Sequence, residues 1–481
     1  MDAGLVKEWQ LDPESEYRFE LDPGESLAIK LISGKAEIFG AEIGEGVTYL
    51  FDSECRAAVF TWHGCELEMR KPSTEYVSDE TTMAVYMNLH HAFEQMRVKA
   101  LSASRNSPTR DDGDGVPSEP PRVLIMGPDN AGKTTACKIL TNYVVRAGQG
   151  WRPMCVNVDP GEGAWTVPGT ISACSVDAPL PTSSPASPLG STSTSAPTIS
   201  SSSALVPAVY WFGHSEPRQN ILLMERLIRN LGDNVNSRHY NDPIGRCSGI
   251  IVDTPSSFAT STGEKKYALV KACIEAFQIN VVLVVGHEKL AVEMQRTFGQ
   301  TVNVVKVPKS GGVVDLDLAY RDRVHKLQVH NYMYGHHIAP PPGVPSTSGE
   351  DGEVTDMHLA PLSASINFDD LTIYRIGGGV MAPSSALPVG AARTISELQP
   401  VPVDPSQKGS GLLNAVLALL SPPASDENER YDEEVLDLTV SGFLVVNALD
   451  FHNKKMTVLA PGQGSLVGRT CLVGSFEWQD Q

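Results

Sequence analysis

Residues 127–135, Gly-Pro-Asp-Asn-Ala-Gly-Lys-Thr-Thr, contain the complete phosphate-loop pattern G-x-x-x-x-G-K-[ST]. An apolar run, Val123 to Met126, precedes this segment, and a stretch of helical character, Thr134 to Ala147, follows it. The pattern requires this order of strand, glycine-rich loop and helix, which favours a real site over the alternative of a glycine-rich turn before an ordinary helix. The segment therefore predicts an α/β domain that binds a nucleoside triphosphate.

The residue types of the loop suit a polyphosphate. Glycine lets successive backbone N–H groups turn inward without a Cβ clash, and the helix N-terminus adds unpaired donors. Lys133 is expected to bridge the β- and γ-phosphates, and the Thr134 hydroxyl to bind Mg²⁺. We expect the nucleotide to be contacted by Asp129, Asn130, Ala131, Gly132, Lys133, Thr134 and Thr135.

Strand-like and helix-like segments alternate after the loop, which indicates a mostly parallel sheet wrapped by helices. The predicted fold class is α/β: a central P-loop NTPase domain at 121–338, flanked by an N-terminal β-sandwich-like domain and a small C-terminal α+β domain. The strands of the central sheet are expected at 123–126, 154–159, 249–253, 281–285 and 302–307, with helices that include 218–231 and 265–277.

The N-terminal region has a different pattern. Short alternating runs between turns predict strands over 14–71, and a helical period follows at 81–100. The N-terminal domain is therefore expected to cover 1–100, and the polar residues 101–120 are expected to link it to the central domain.

Two further breaks divide the rest of the chain. Residues 178–207 are rich in Ser, Thr and Pro and carry no charge, which predicts a disordered insertion in the central domain. A proline-rich stretch marks a second linker at 339–359. The C-terminal domain is expected at 360–481, with strands at both ends and a helix over 411–420.

Charge and cysteine content limit the classes of function. The formal net charge of the 481-residue chain is −19, which disfavours a uniformly basic nucleic-acid surface and leaves protein partners or local RNA contacts. The eight cysteines are scattered without metal-ligand spacing, which favours free thiols in the cytosol or nucleus. No signal peptide is predicted, because the N-terminus lacks a basic region followed by an apolar core. No apolar run reaches ~18 residues, so no membrane span is predicted.

Two aspartates follow predicted strands of the central sheet. Asp159 ends the strand beside the loop, and Asp253 ends the strand at 249–252. Carboxylates at the tips of parallel strands face the metal and the γ-phosphate, so Thr134, Asp159 and Asp253 are the expected Mg²⁺ ligands. If the chain is catalytic, Asp159 is the expected proton acceptor. The alternative is a helix or turn cap for Asp159 and an Asx-turn for Asp253.

Charged residues that could stabilise a transferring phosphoryl group are few. Lys306 and Lys309 lie beside Gly-Gly and are more simply interpreted as a solvated turn. The helical segment 321–335 carries His325 and His330 where it approaches Tyr332. Neutral histidine is a poor substitute for the arginines that phosphoryl transfer uses, so the segment does not predict a strong catalytic lid.

Several short motifs recur in one known order. The chain resembles the ATP-binding subunit of the eukaryotic pre-mRNA cleavage and polyadenylation machinery, which is related to the polynucleotide 5′-hydroxyl kinases. The resemblance extends over nearly the whole chain apart from the insertion. It is carried by the phosphate loop and by the segments Val156-Asn157-Val158-Asp159, Val167-Pro168-Gly169-Thr170, Val252-Asp253-Thr254-Pro255, Pro308-Lys309-Ser310-Gly311-Gly312, Tyr332-Met333-Tyr334-Gly335 and Ser441-Gly442-Phe443-Leu444-Val445-Val446.

The resemblance implies that ATP lies between the N-terminal and central domains, with Glu16 and Arg56 beside the adenine. From the residues alone, both would be ordinary exposed charges. Active kinases of the family carry two lid arginines at the positions of His325 and His330, and a Gly-Trp clasp where this chain has Thr254-Pro-Ser-Ser-Phe. These departures imply the fungal type, in which ATP is bound and kinase activity is not expected.

The resemblance also implies a nuclear protein that assembles with other subunits of the mRNA cleavage factor, chiefly its scaffold subunit, and that meets RNA indirectly. Three hypotheses follow. In the first, ATP and Mg²⁺ are structural and support assembly. In the second, the chain is an RNA 5′-hydroxyl kinase that uses Lys133, Thr134 and Asp159. In the third, it is a switch-type NTPase, recognised by phosphate release without RNA.

Overall fold

The computed structural model describes residues 6–70, 72–105, 119–189, 207–260, 266–342, 344, 357–358, 360–376, 398–422, 432–462 and 464–480. Within these residues the chain forms a β-sandwich, a P-loop domain with a mostly parallel sheet, and a third domain around a single sheet. The described helices include none that is long and apolar enough to span a membrane. All eight cysteines are free and buried.

The N-terminal domain confirms the predicted sandwich. Its strands are β1 (Val6–Leu11), β2 (Ser15–Glu20), β3 (Leu27–Gly34), β4 (Ala36–Ile38), β5 (Ala41–Ile43), β6 (Thr48–Phe51), β7 (Arg56–Thr61), β8 (Cys65–Arg70) and β9 (Thr74–Ser78). They form two antiparallel sheets in the orders β1-β8-β3-β6 and β5-β4-β7-β2-β9. Alternating side chains meet between the sheets, so the core is built from residues such as Tyr17, Phe19, Ile29, Phe51 and Leu67.

A long helix, α1 (Met83–Arg105), leads from the sandwich to the central domain. It runs five residues further than the predicted end at 100, and residues 106–118 of the expected linker lie outside the described residues. Phe93 packs into the core of the central domain, and the buried Arg97 donates to the Ser248 carbonyl oxygen at 2.9 Å. The helix therefore fixes the sandwich against the central domain.

The central sheet has seven strands, β10 (Arg122–Met126), β11 (Met154–Asn157), β12 (Thr170–Ser175), β13 (Ala208–Trp211), β14 (Ile250–Asp253), β15 (Val281–Val285) and β16 (Asn303–Val307). Their order is β13-β12-β11-β14-β10-β15-β16. The parallel part of the sheet consists of β11, β14, β10, β15 and β16, and β12 and β13 form an antiparallel edge. Consequently β10, β11 and β14 end side by side at one edge of the sheet, where α/β proteins bind their ligands.

The described residues of this domain also form the α-helices α2 (Lys133–Arg146), α3 (Ile221–Asn241), α4 (Pro243–Ser248), α5 (Ala268–Ala276), α6 (Glu288–Phe298) and α7 (Leu318–Tyr334). The strands of the parallel part are almost continuous apolar runs because helices cover both faces of the sheet. Helix α7 crosses the edge where the phosphate loop lies, and its side chains form one wall of the site described below.

The predicted disorder of residues 178–207 is wrong for residues 178–189, and residues 190–206 lie outside the described residues. Leu180, Ala186 and Leu189 are buried. The side chain of Asn142 on α2 pairs with both backbone groups of Leu180, and the Ser183 carbonyl oxygen accepts from the Asp52 N–H at 2.7 Å. A few apolar contacts and backbone hydrogen bonds are therefore enough to order this segment between the two domains.

The C-terminal region contains β17 (Gly335–His336), β18 (Met357–His358), β19 (Leu362–Asn367), β20 (Leu371–Ile376), β21 (Pro400–Pro402), β22 (Ala415–Leu420), β23 (Val440–Asp450), β24 (Lys455–Ala460) and β25 (Arg469–Glu477). The last seven form one sheet in the order β19-β24-β23-β22-β25-β20-β21, and β17 pairs with β18. This sheet packs on the central domain, where the Phe443 N–H donates to the Tyr332 hydroxyl at 3.1 Å and a Cβ at Gly474 would lie 2.2 Å from the Gly213 carbonyl oxygen.

The predicted helix over 411–420 is wrong. Ala415–Leu420 is strand β22, which pairs with β23 on one side and β25 on the other and is buried on both faces. A short apolar run has the same appearance in a buried strand and in a buried helix, so its periodicity cannot separate them. In the described residues, the domain predicted as α+β consists of strands and 3₁₀ turns.

Stability is expected to fall in acid because His239 on α3 is buried in its neutral form. Burial and the nearby positive charges of Arg122 and Arg246 lower its pKa to about 4 from 6.5. The folded pKa lies below the unfolded one, so the stabilisation is complete above pH ~6.5 and is lost as the pH falls toward 4. His239→Leu should reduce the difference in the free energy of unfolding between pH 7 and pH 4 by about 3 kcal/mol. Urea unfolding of both proteins at the two pH values measures this difference. The control His63→Leu, at an exposed position, should behave like wild type; an unchanged pH dependence of His239→Leu would contradict the assignment.

Candidate nucleotide-binding site

The phosphate loop joins the end of β10 to α2, which begins at Lys133. Two loop residues have left-handed backbone conformations, Asn130 with φ 49° and Gly132 with φ 84°. A Cβ at Gly127 would lie 2.6 Å from the Val285 carbonyl oxygen, so the loop can pass the end of β15 only because this residue is glycine. The loop thus has the backbone path expected of a phosphate cradle at a helix N-terminus.

Two carboxylates meet the first turn of α2. The Thr134 hydroxyl oxygen lies 2.5 Å from Asp253 Oδ2 and 2.7 Å from Glu162 Oε2. Asp253 ends β14, and Glu162 lies in the loop after the neighbouring strand β11, so the topology of the sheet brings both to Thr134. The other oxygen of Asp253, Oδ1, is buried and has no hydrogen-bond partner.

These oxygen donors fit the expected Mg²⁺. Mg²⁺ prefers hard oxygen ligands and is usually held by one or two protein groups together with the phosphates. Thr134 and Asp253 provide such groups, and Asp253 Oδ1 is an acceptor that still lacks a partner. Among the residues that the structure describes, no group of three or more His, Cys, Asp or Glu side chains forms a metal site by itself.

Asp159, which follows β11, also lies in the wall of the cavity. Its Oδ1 accepts from the Gly161 N–H at 2.9 Å, so the turn-capping alternative applies to this residue. Desolvation and the nearby charge of Glu162 raise the pKa of Asp159 to about 7, and Lys133 and Arg321 oppose the rise. Desolvation and Glu162 likewise raise the pKa of Asp253 well above its usual range. The negative charges of this site therefore repel one another unless a cation or a proton is present.

The cavity has a volume of about 1130 Å³ and lies between the N-terminal sandwich and the central domain. Its walls come from β2 and β7 of the sandwich, the phosphate loop, helix α7 and the ordered segment that follows Leu180. A cavity of this size accommodates a drug-sized or nucleotide-sized molecule. It is lined by the predicted residues Glu16, Arg56, Asp129, Asn130, Ala131, Gly132, Lys133, Thr134, Thr135 and Asp159.

Charged residues of the sandwich and Tyr320 of α7 also line the cavity. The buried Glu16 carboxylate accepts from Arg18 Nε at 2.7 Å and from the Thr81 hydroxyl. The Arg56 guanidinium lies 4.7 Å from the centroid of the Tyr320 ring. Glu16 and Arg56 lie at opposite ends of the paired strands β2 and β7, where Glu16 pairs with Phe60 and Arg56 with Glu20. The cation over the Tyr320 ring offers stacking to a heterocyclic base, and the Glu16 carboxylate offers a hydrogen-bond acceptor.

Only one of the two predicted lid histidines reaches the cavity. His325 lies in its wall, and its Nε2 lies 2.5 Å from the Gly161 carbonyl oxygen. A carbonyl can only accept, so Nε2 carries the proton, and burial lowers the pKa of His325. The ring is therefore neutral at neutral pH. His330 instead stacks on Tyr334, with ring centroids 5.1 Å apart.

The segment at the position of the kinase clasp reaches the cavity with uncharged residues, since Pro255, Ser256 and Ser257 line it. Phe258, at the end of the segment where kinases carry a clasp, is buried in the core of the central domain. Lys306 pairs with Glu288 at 2.6 Å and is half exposed, but it lies in strand β16 and not in the predicted solvated turn. Neither Lys306 nor Lys309 is among the described residues that line the cavity.

Four site residues were not predicted from the sequence: Arg18, Glu162, Arg321 and Gln328. Arg18 could have been found, because residues i and i+2 of a strand share a face and Glu16 was already a candidate. Arg321 precedes His325 by one helical turn and could have been inferred in the same way. Nothing in the local pattern marks Glu162 or Gln328, whose positions depend on the contact between α7 and the loop after β11.

Comparison with known proteins identifies the family. A model described as the mRNA cleavage and polyadenylation factor CLP1 P-loop matches residues 127–335. A model of the N-terminal beta-sandwich domain of polyadenylation factor matches residues 10–100, and one described as pre-mRNA cleavage complex II protein Clp1 matches residues 359–480. The mRNA cleavage and polyadenylation factor CLP1 of Laccaria bicolor is 64% identical over 480 residues, which cover 99% of this chain and 98% of that protein. The chain belongs to the CLP1 family.

More distant CLP1 relatives differ in what their names state. The polyribonucleotide 5′-hydroxyl-kinase Clp1 of Danio rerio is 34% identical over 474 residues, which cover 98% of this chain and 94% of that protein. Among solved structures, a wild-type complex of Clp1p with residues 454–563 of Pcf11p matches with a TM-score of 0.78 and 25% identity, over 99% of both chains. A second structure, at 24% identity and the same TM-score, concerns an extended Pcf11p–Clp1p interface and ATP loss in a point mutant. It covers 99% of this chain and 100% of that chain, and it supports the fold.

Proposed function

We propose that this CLP1 family member is an ATP-binding, non-catalytic subunit of the pre-mRNA 3′-end cleavage and polyadenylation complex. Mg²⁺·ATP is retained between the N-terminal and central domains as a structural element. Lys133 and the phosphate loop bind the phosphates. The proposed Mg²⁺ ligands are Thr134, Asp159 and Asp253. Glu16 and Arg56 lie beside the base. The protein acts in the nucleus.

One observation carries this proposal. A complete nucleotide cradle is present together with a neutral histidine, His325, at a position where active kinases of the family are expected to carry an arginine. The phosphate loop, Thr134 and Asp253 provide what ground-state binding requires. Rapid phosphoryl transfer also needs cations on the departing group, and an arginine at such a position is worth ~10³–10⁵ in rate. His325 is half-buried and donates to the Gly161 carbonyl oxygen, so it supplies hydrogen bonding without charge.

The partner is proposed to be the scaffold subunit of the cleavage factor. The support is the matching structure in which a relative is bound to a segment of Pcf11p. The net charge of −19 favours protein partners over an extended RNA surface, so contact with RNA is indirect. Retained ATP would stabilise the docking surface by holding the two domains together.

The alternative is an RNA 5′-hydroxyl kinase. It is supported by Asp159, which lies in the cavity wall with a raised pKa, and by the name of the fish relative. In that case Asp159 would accept the proton of an attacking 5′-hydroxyl.

The two functions are separated by transfer of label from γ-labelled ATP to an RNA oligonucleotide with a 5′-hydroxyl. We expect no transfer above that of Asp159→Ala, and we expect the ATP added to the full-length protein to stay intact. The Danio rerio relative, whose name states kinase activity, is the positive control. Label transfer by the wild type that Asp159→Ala abolishes would contradict the structural role and establish the kinase.

A further inference from the structure

Helix α7 presents one polar face to the nucleotide site. Arg321, His325 and Gln328 are spaced at i, i+4 and i+7, so their side chains lie on the same side of the helix. Arg321 Nη2 donates to Asn130 Oδ1 at 3.1 Å, and the other two donate to the backbone carbonyls of Gly161 and Glu162, each at 2.5 Å. This face therefore bridges the phosphate loop and the loop after β11.

Arg321 brings a permanent positive charge to this face. A guanidinium stays protonated at any physiological pH, whereas burial lowers the pKa of His325 and leaves that ring neutral. Gln328 is uncharged. Within the polar face that contacts the two loops, Arg321 is thus the cation. It lies one helical turn before His325, a position at which family kinases are expected to carry arginine.

The contacts of Arg321 place it where a terminal phosphate is expected. Its Nη2 lies 3.8 Å from the Asp129 carboxylate, and both Asp129 and Asn130 belong to the phosphate loop. Asp159 lines the same cavity as Arg321 and the phosphate loop. Arg321 therefore contacts the phosphate loop inside the cavity that Asp159 also lines.

The interactions of Arg321 with Asn130 and Asp129 are weak enough for a phosphate to replace them. Its side chain is 36% exposed, and the Asp129 side chain is 71% exposed. An exposed ion pair of this kind contributes ~0–1 kcal/mol. A phosphate oxygen is a stronger partner because guanidinium and phosphate can form two parallel charge-assisted hydrogen bonds.

We propose that Arg321 binds the terminal phosphate and makes the site select nucleoside triphosphates over diphosphates. This inference rests on the proposed function, because it names the residue that retains the triphosphate. Binding in the ground state raises affinity without accelerating transfer, so the role agrees with a non-catalytic site. Arg321 is expected to act on ATP far more than on ADP, because ADP lacks the phosphate that it contacts.

The test is the affinity of the full-length protein, freed of nucleotide, for ATP and for ADP in the presence of Mg²⁺, measured by calorimetry. Arg321→Ala is expected to weaken ATP binding by roughly 10- to 100-fold, as expected for a charge-assisted hydrogen bond, with less than about a threefold effect on ADP. Arg321→Lys should restore part of the preference because it keeps the charge but not the planar donor geometry.

Arg323→Ala is the matched control on the same helix. Arg323 is outside the cavity lining and bonds to Glu54 at 2.5 Å, so its replacement should leave the ratio of the two affinities unchanged. Equal weakening of ATP and ADP by Arg321→Ala, or no weakening, would overturn the inference while leaving the proposed function intact. A wild-type protein that binds neither nucleotide would overturn both.

Discussion

Lys133→Ala is expected to purify without nucleotide and to bind ATP on the order of 100-fold more weakly than wild type, because a charge-assisted contact to the β- and γ-phosphates is removed. Lys133 is the first residue of α2 and lies in the cavity wall. If ATP is structural, binding to the scaffold subunit should weaken in parallel. Calorimetry with ATP and Mg²⁺, followed by co-purification with the scaffold fragment, measures both effects.

Lys306→Ala is the control for this variant. Lys306 is also a lysine of the central domain, but it pairs with Glu288 at the surface and is absent from the described cavity wall. It should retain both nucleotide and partner. If Lys133→Ala loses nucleotide and still assembles as wild type does, ATP is not what supports the docking surface.

Removal of the nucleotide is expected to lower the free energy of unfolding by about 2.7–4 kcal/mol, relative to protein with ATP at 100–1,000 times its dissociation constant. The site joins two domains, whose direct contacts include Arg146 with Glu37 and Arg323 with Glu54. A ligand that bridges them stabilises the folded state by mass action. Denaturant unfolding with and without Mg²⁺·ATP measures the difference.

Lys133→Ala provides the comparison, since its weaker binding should reduce the stabilisation by ATP. If ATP has no effect on the unfolding of the wild type at concentrations that saturate binding, the nucleotide has no structural role in the isolated chain. If ATP stabilises the variant as strongly as the wild type, Lys133 does not hold the phosphates.

The central domain could be predicted from the sequence because its signals are strong and local. The phosphate loop has a fixed spacing, and the apolar runs at 123–126 and 281–285 are strands within one residue of the predicted bounds. The topology of parallel strands then brings Asp159 and Asp253 to the loop without further information. The side-chain roles of these residues remain predictions.

The errors have a different cause. The order of residues 178–189 and the strand at Ala415–Leu420 depend on surfaces that are distant in the chain. A segment with few apolar residues can be ordered when a crevice between two domains accepts them, and an apolar run becomes a strand when partners lie on both sides. The positions of Arg321 and Glu162 also depend on contacts between distant segments, because the packing of α7 against the loops brings both residues to the site.

The most direct test is to denature the purified, full-length protein and identify the nucleotide that it releases. We expect close to one equivalent of intact triphosphate with Mg²⁺ from the wild type, and none from Lys133→Ala. Release of diphosphate would contradict retention without turnover. Absence of any nucleotide, together with no measurable affinity for Mg²⁺·ATP, would contradict the assignment of the site.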